Sequence, residues 1–277
     1  MAVVDPIRNL AFRQHVAEKK CIKRHRADAL SADKLKKNKN PMNIPSSIYR
    51  RPHWPLILLL PVTLIAFWPG YLMRLDDSPW QVHFHGITGL AWILLLIGQS
   101  FLASRRRFDL HRRLGKMTYV LAPLVLLGGF MVLYTMAARI NGESVSPFFQ
   151  TFGYRLAFID LVGNVHFAVV VTLALVQKRD IALHSRLMLS SVIPLLYAVF
   201  SRFYDFDSFW VVTDVSFLTA EIVVLALILH DHRHGGIRYP WVLAMAVLAF
   251  QHLMFRPIGD FAAWQAAFDG YWRLLTP

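Results

Sequence analysis

The sequence predicts an all-α fold: a polytopic membrane bundle of seven transmembrane helices. Three observations carry this expectation. Hydrophobic residues make up 56% of the 277-residue chain and charged residues only 17%, against about 25% charged in an ordinary soluble domain. Seven apolar stretches reach the length a bilayer crossing requires: 54–73, 83–104, 117–137, 156–177, 185–202, 209–230 and 239–257. The cationic residues between them alternate from one side to the other.

Ahead of the first stretch lies a basic tail, 1–53. Residues 1–41 hold 11 Lys/Arg and 4 Asp/Glu, about half of the excess behind a net charge of +13. No apolar core of a secretory signal precedes residue 54. The tail has no interleaved aromatics and no nucleic-acid-binding motif, which argues against a nucleic-acid partner. It reads as a disordered or lipid-attracted cytoplasmic segment, and Met42 is an alternative start. The chain's single cysteine, Cys21, excludes an intrachain disulfide and any CxxC pair.

The membrane domain spans 54–257. Its first stretch, Trp54 to Met73, carries no charge and suits an uncleaved anchor. The remaining six form three hairpins. The loops 105–116, 178–186 and 231–238 contain Arg105, Arg106, Arg107, Arg112, Arg113, Lys116, Lys178, Arg179, Arg186, Arg233 and Arg238. The other loops and the C-terminus carry only Arg74, Arg139, Arg155, Arg202, Arg256 and Arg273. The positive-inside rule then places the three basic loops in the cytoplasm, the N-terminus inside and the C-terminus outside. In the segment 258–277, Trp264, Phe268, Tyr271 and Trp272 share one helical face, as expected of an interfacial amphipathic helix.

The basic loops share a motif. Leu110-His111-Arg112-Arg113-Leu114 recurs as Leu183-His184-Ser185-Arg186-Leu187, with a looser echo at Leu229-His230-Asp231-His232-Arg233. These repeats suggest related hairpins, although short basic loops at membrane edges also resemble one another. His111, His184 and His230 fall at similar depth. Imidazoles facing one another there suit ligation of a b-type haem. Alternatively the arginines are contacts for anionic lipids or another anion, with Asp109 and Asp180 bridging to neighbouring arginines.

Polar residues also occur inside the spans, where ionisable groups are expensive and usually pair or function. The second span opens on His83 and His85, about 200° apart on a helix. His85, Gly89, Trp92, Leu96 and Gln99 form one stripe of it. The fourth carries Asp160 and Asn164 on one face and His166 nearly opposite, which marks this helix as central. The sixth carries Asp214 and Glu221 seven residues apart; the seventh carries His252 and Arg256 one turn apart. At the outer end His83, His85, Asp160, Asp214, His252, Arg202 and Arg256 can meet. They would form ion pairs between helix tips, or a His/carboxylate site for zinc, copper or iron. Among these outer-end residues no HxxxH or HExxH spacing supports the metal reading.

With His83-Phe84-His85-Gly86, Gln99, His111-Arg112-Arg113-Leu114-Gly115 and His184-Ser185-Arg186-Leu187-Met188 collected, the chain resembles a family of bacterial multi-pass membrane proteins to which no activity is assigned. The resemblance covers roughly residues 80–235 and implies a multi-pass fold with a matching set of His and Arg positions. A looser likeness is to transmembrane b-type cytochromes, whose ligand histidines lie within the spans. Here His111 and His184 stand at helix starts.

The expected location is a cell (inner) membrane, with the bilayer and its anionic lipids as partners, alongside a membrane-protein partner or a second copy. The expected role is haem or transition-metal handling in electron transfer or respiratory-complex assembly, with His83, His85, His111, His166, His184 and His252 as cofactor ligands. The alternatives are a proton-coupled or small-solute transporter or sensor using Asp160, His166, Glu221 and His252, and a ligand-free assembly factor.

Overall fold

The computed structural model describes residues 53–276, apart from 235 and 237. The tail before residue 53, and with it the question of Met42, lies outside the described residues. Every regular element among the described residues is helical. In chain order they are α1 (His53–Phe67), a 3₁₀ turn (Leu72–Arg74), α2 (Trp80–Ser104), α3 (Phe108–Gly115), α4 (Thr118–Asn141) and α5 (Pro147–Val176). There follow α6 (Ile181–Ser190), α7 (Ile193–Phe200), α8 (Phe209–Arg233), α9 (Tyr239–Ile258) and α10 (Ala262–Leu275).

Six helices are long and apolar enough to cross a membrane: α2, α4, α5, the α6–α7 pair taken as Ile181–Phe200, α8 and α9. The lead stretch 54–73 forms a helix of only 15 residues. Pro69 stops it, because proline lacks an N–H and disfavours helical backbone in the residue before it. At 1.5 Å per residue such a helix rises about 22 Å, short of a hydrocarbon core about 30 Å thick.

Two other boundaries differ from the sequence reading. α5 begins at Pro147 rather than near 156, and runs for 30 residues. Ser146 caps it, accepting from the Phe149 N–H, and Pro147 occupies the first turn, where its missing N–H costs nothing. Arg155, assigned to a loop by its charge, is therefore inside the helix and buried. The basic loop 105–116 contains the short helix α3, none of whose residues is buried.

α5 is the central helix. It packs against α4, α6 and α9, and also touches α7 and α10. One apolar core joins Phe152 and Ile159 of α5 to Tyr197 of α7, Phe217 of α8 and Trp241, Leu248 and Phe255 of α9. A second joins Trp92 and Leu96 of α2 to Val125 of α4 and Phe167 of α5. The rest of the apolar surface faces outward, as at Ile222 and Leu253, 64% and 77% exposed. Such a surface is what a hydrocarbon solvent favours.

The aromatic stripe of α10 packs on the protein itself. Phe268 is buried against Leu133, Ala137 and Ala157, with Trp264, Tyr271 and Trp272 beside it. Three polar bonds dock the helix: Trp264 Nε1 to the Tyr154 carbonyl at 2.9 Å, Tyr154 Oη to Asp269 at 2.8 Å and Tyr271 Oη to the Phe130 carbonyl at 2.9 Å.

Candidate functional site

The polar residues expected to meet at one end of the bundle separate into distinct groups. α8 and α9 bring four ionisable side chains into a line. Asp214 and Glu221 lie two turns apart on α8, and His252 and Arg256 lie one turn apart on α9. His252 Nδ1 lies 3.1 Å from Glu221 Oε1, and its Nε2 3.7 Å from Asp214 Oδ1. Arg256 Nη2 donates to Asp214 Oδ2 at 2.6 Å. Phe217 stacks under the imidazole, with centroids 5.0 Å apart and an interplanar angle of 14°.

Asp160 and the N-terminal histidines of α2 are not in that line. Asp160 interacts electrostatically with Arg202, whose guanidinium sits 4.0 Å from the centre of the Phe67 ring. The expected pairing of Arg256 with a helix-tip carboxylate is realised with Asp214. Arg155, absent from the sequence-level list, donates to Asp260 at 2.8 Å. His83 Nδ1 is hydrogen-bonded to Tyr71 Oη at 2.8 Å, and burial raises the Tyr71 phenol above its ordinary value. His85 packs its backbone against Gly128 of α4. Its Nδ1 is buried without a hydrogen-bond partner among the described residues. Next to Gly128, Gly129 leaves room for Asn164 of α5, whose amide would overlap any Cβ there.

Deeper in the bundle the fifth span breaks into α6 and α7. Pro194 is the cause: it has no N–H for the carbonyl four residues earlier, that of Ser190. His166 takes up this freed acceptor, with Nε2 3.0 Å from the Ser190 carbonyl and 3.2 Å from Ser190 Oγ. Trp92 Nε1 donates to Ser191 Oγ at 3.0 Å across the same break. A carbonyl accepts only from a protonated nitrogen, so His166 carries its proton on Nε2. Its Nδ1 is buried without a partner among the described residues.

The two Leu-His-x-Arg-Leu copies make the same bond. His111 Nδ1 donates to the Gln99 carbonyl near the end of α2 at 3.2 Å. His184 Nδ1 donates to the Ala174 carbonyl near the end of α5 at 2.8 Å. Each histidine thus reaches back across its hairpin to the helix before it, and each keeps Nε2 as its lone-pair nitrogen. The two rings interact electrostatically. Beside the first copy, the Gln99 side chain is buried, and neither of its amide atoms has a partner among the described residues.

The arginines of the two copies part company. In the first, Arg105, Arg106, Arg107, Arg112 and Arg113 are exposed, and Arg112 pairs with Asp109 as expected. Arg106 holds a left-handed φ of 57°, uncommon outside glycine, at the turn into α3. In the second, Arg186, expected as an anion or lipid contact, faces a carboxylate of the chain itself. It is buried, and donates through Nε and Nη2 to the two oxygens of Asp231 at 2.7 and 2.9 Å. Asp180 does not bridge to an arginine there; it caps α6 by accepting from the Leu183 N–H at 3.0 Å. The third, looser copy supplies the acid: Asp231 follows His230.

Of the expected cofactor ligands, His252 has both nitrogens facing carboxylates, and His83, His111, His166 and His184 each have one nitrogen bonded. Among the described residues, no three His, Cys, Asp or Glu side chains gather closely enough to hold a metal ion, so the expected cluster of His83, His85, Asp160, Asp214 and His252 does not form. At His111 and His184 a helix-end carbonyl accepts from Nδ1–H and leaves Nε2 as the lone-pair nitrogen. Comparison with family models, with curated proteins and with solved structures returned no match.

Proposed function

We propose that this chain is a seven-helix protein of a cell membrane that handles haem or a transition metal in a redox role, through His111 and His184. In this reading α1 is the seventh helix, reaching partway into the bilayer. The basic hairpin turns face the cytoplasm, with the N-terminus inside and the C-terminus outside. Exposed Arg105, Arg106, Arg107, Arg112 and Arg113 meet anionic lipid there.

The observation that carries the reading is the shared anchoring of the two motif histidines. A bond from Nδ1–H to a helix-end carbonyl sets the tautomer and leaves Nε2 as the lone-pair nitrogen in both copies. The unpartnered Gln99 amide next to the His111 anchor adds a donor and an acceptor for a group carried by the ligand. A haem iron or metal ion held there would supply one-electron chemistry. The protein's part is to orient the two imidazoles.

The test is the dithionite-reduced minus oxidised spectrum of the purified protein, with a metal assay on the same sample. A haem band or stoichiometric metal, lost on His111→Asn or His184→Asn, is the expected result. A featureless spectrum with substoichiometric metal overturns the proposal.

A further inference from the structure

The line of Glu221, His252, Asp214 and Arg256 has no part in the proposed cofactor site. Its charges do not balance with a neutral imidazole: two carboxylates face one guanidinium. An uncompensated charge on an apolar helix is costly, so the line is expected to hold one more positive charge. His252 is placed to carry it. Both ring nitrogens face carboxylate oxygens, at 3.1 and 3.7 Å. Only the imidazolium presents an N–H to both. Phe217, fully buried, holds the ring flat from below.

Exposure is graded along the line. Side-chain exposure falls from 58% at Arg256 to 36% at Asp214, 23% at His252 and 19% at Glu221. The open end therefore lies at Asp214 and Arg256, and the enclosed end at Glu221. Among the described residues the neighbouring elements bring no further charge into the line by an ion pair. On α5, Arg155 is paired with Asp260, and Asp160 interacts with Arg202 beyond the end of α7. On α6, Arg186 is held by Asp231. Arg155 and Arg256 do share Trp210, each guanidinium 5.1 Å from a ring centroid.

We propose that Asp214, His252 and Glu221 form a proton-loading site, with Arg256 as its fixed counter-charge. A proton entering past Asp214 binds His252 at Nε2. The proton on Nδ1 then passes to Glu221, leaving a neutral ring protonated on Nε2 and a neutral Glu221 acid. One proton enters and one is stored, and the reverse transfer releases it on the open side. The site takes up protons between two carboxylates on a single imidazole, and a membrane protein can couple such uptake to electron transfer or to solute movement.

The test is pH-dependent infrared difference spectroscopy of the full chain in lipid nanodiscs, alongside proton uptake measured with a pH indicator. Wild type is expected to gain a protonated-carboxyl band as pH falls, with uptake of one proton per chain at the site. Glu221→Gln should abolish that band, and His252→Gln should shift the pH at which it appears. Melting temperatures of both variants confirm folding; if Glu221→Gln does not fold, the shift of the band's pH in His252→Gln carries the test. A band and an uptake unchanged by these substitutions overturn the proposal. A band lost with the haem or metal signal intact separates this site from the cofactor reading.

Discussion

Arg186 and Asp231 form a two-point ion pair in the buried interior, with side chains 9% and 0% exposed. The arginine comes from the second Leu-His-x-Arg-Leu copy and the aspartate from its loosest echo, so the pair ties α6 to the end of α8. Breaking a buried pair by removing one partner leaves an uncompensated charge, at a cost of roughly 3–5 kcal/mol. Asp231→Ala and Arg186→Ala should each lower the melting temperature of the purified protein sharply. The double variant Arg186→Met/Asp231→Leu should recover most of that loss. A double variant no more stable than the singles would mean that the pair is not the principal interaction of either residue.

His111 and His184 allow structure to be separated from ligation. Asparagine can donate from Nδ2 to a carbonyl as the imidazole Nδ1–H does, but offers no counterpart of Nε2. His111→Asn and His184→Asn are therefore expected to keep the hairpin bond and melt close to wild type. His111→Ala and His184→Ala lose it, at a cost of about 0.5–1.5 kcal/mol each. All four should lose any haem or metal signal. Thermal melts and spectra of the same four preparations decide the matter: signal loss that tracks only the unstable alanine variants would make the histidines structural.

Much of this arrangement was legible in the sequence. Apolar length predicted seven spans, six of which are helices long and apolar enough to cross a membrane, and Asp160, Asn164 and His166 identified the central one. The seven-residue spacing of Asp214 and Glu221 and the four-residue spacing of His252 and Arg256 put each pair on one face; that the two faces meet depends on packing between α8 and α9, which helical periodicity does not specify. Charge misled at Arg155 and Arg186, because a lone arginine reads as a loop residue unless its partner is known, and Asp260 and Asp231 lie 105 and 45 residues away. The reading of 185–202 as one span overlooked the α6–α7 break, although its mark, Pro194, which has no N–H for the Ser190 carbonyl, was visible. The identity of its new donor, His166, was not.

That donor gives a third prediction. His166→Ala removes the partner of a buried carbonyl, at a cost of about 1–3 kcal/mol. Pro194→Ala restores an N–H that can bond the same carbonyl and so competes with His166. The double variant His166→Ala/Pro194→Ala should then be more stable than the sum of the single effects allows, because the helix closes its own bond. Melting temperatures of the three variants test this coupling. Strict additivity would show that the proline does not set the break.

The last prediction concerns the turn between α9 and α10. A Cβ at Gly259 would collide with the Arg155 guanidinium. That guanidinium cannot retreat freely: it is held by Asp260, by the carbonyls of Thr151 and Arg256, and over Trp210. Gly259→Ala should therefore destabilise by roughly 1–3 kcal/mol, the usual range for an overpacked site, and loosen α10. Limited proteolysis reads the second effect, since Tyr154, which holds Asp269 of α10, lies next to Arg155 on α5. Gly270→Ala is the control: nothing lies within 4 Å of the Cβ it would add, so it should melt and cleave as wild type. Equal behaviour of the two variants would mean that the fit around Gly259 does not restrain the C-terminal helix.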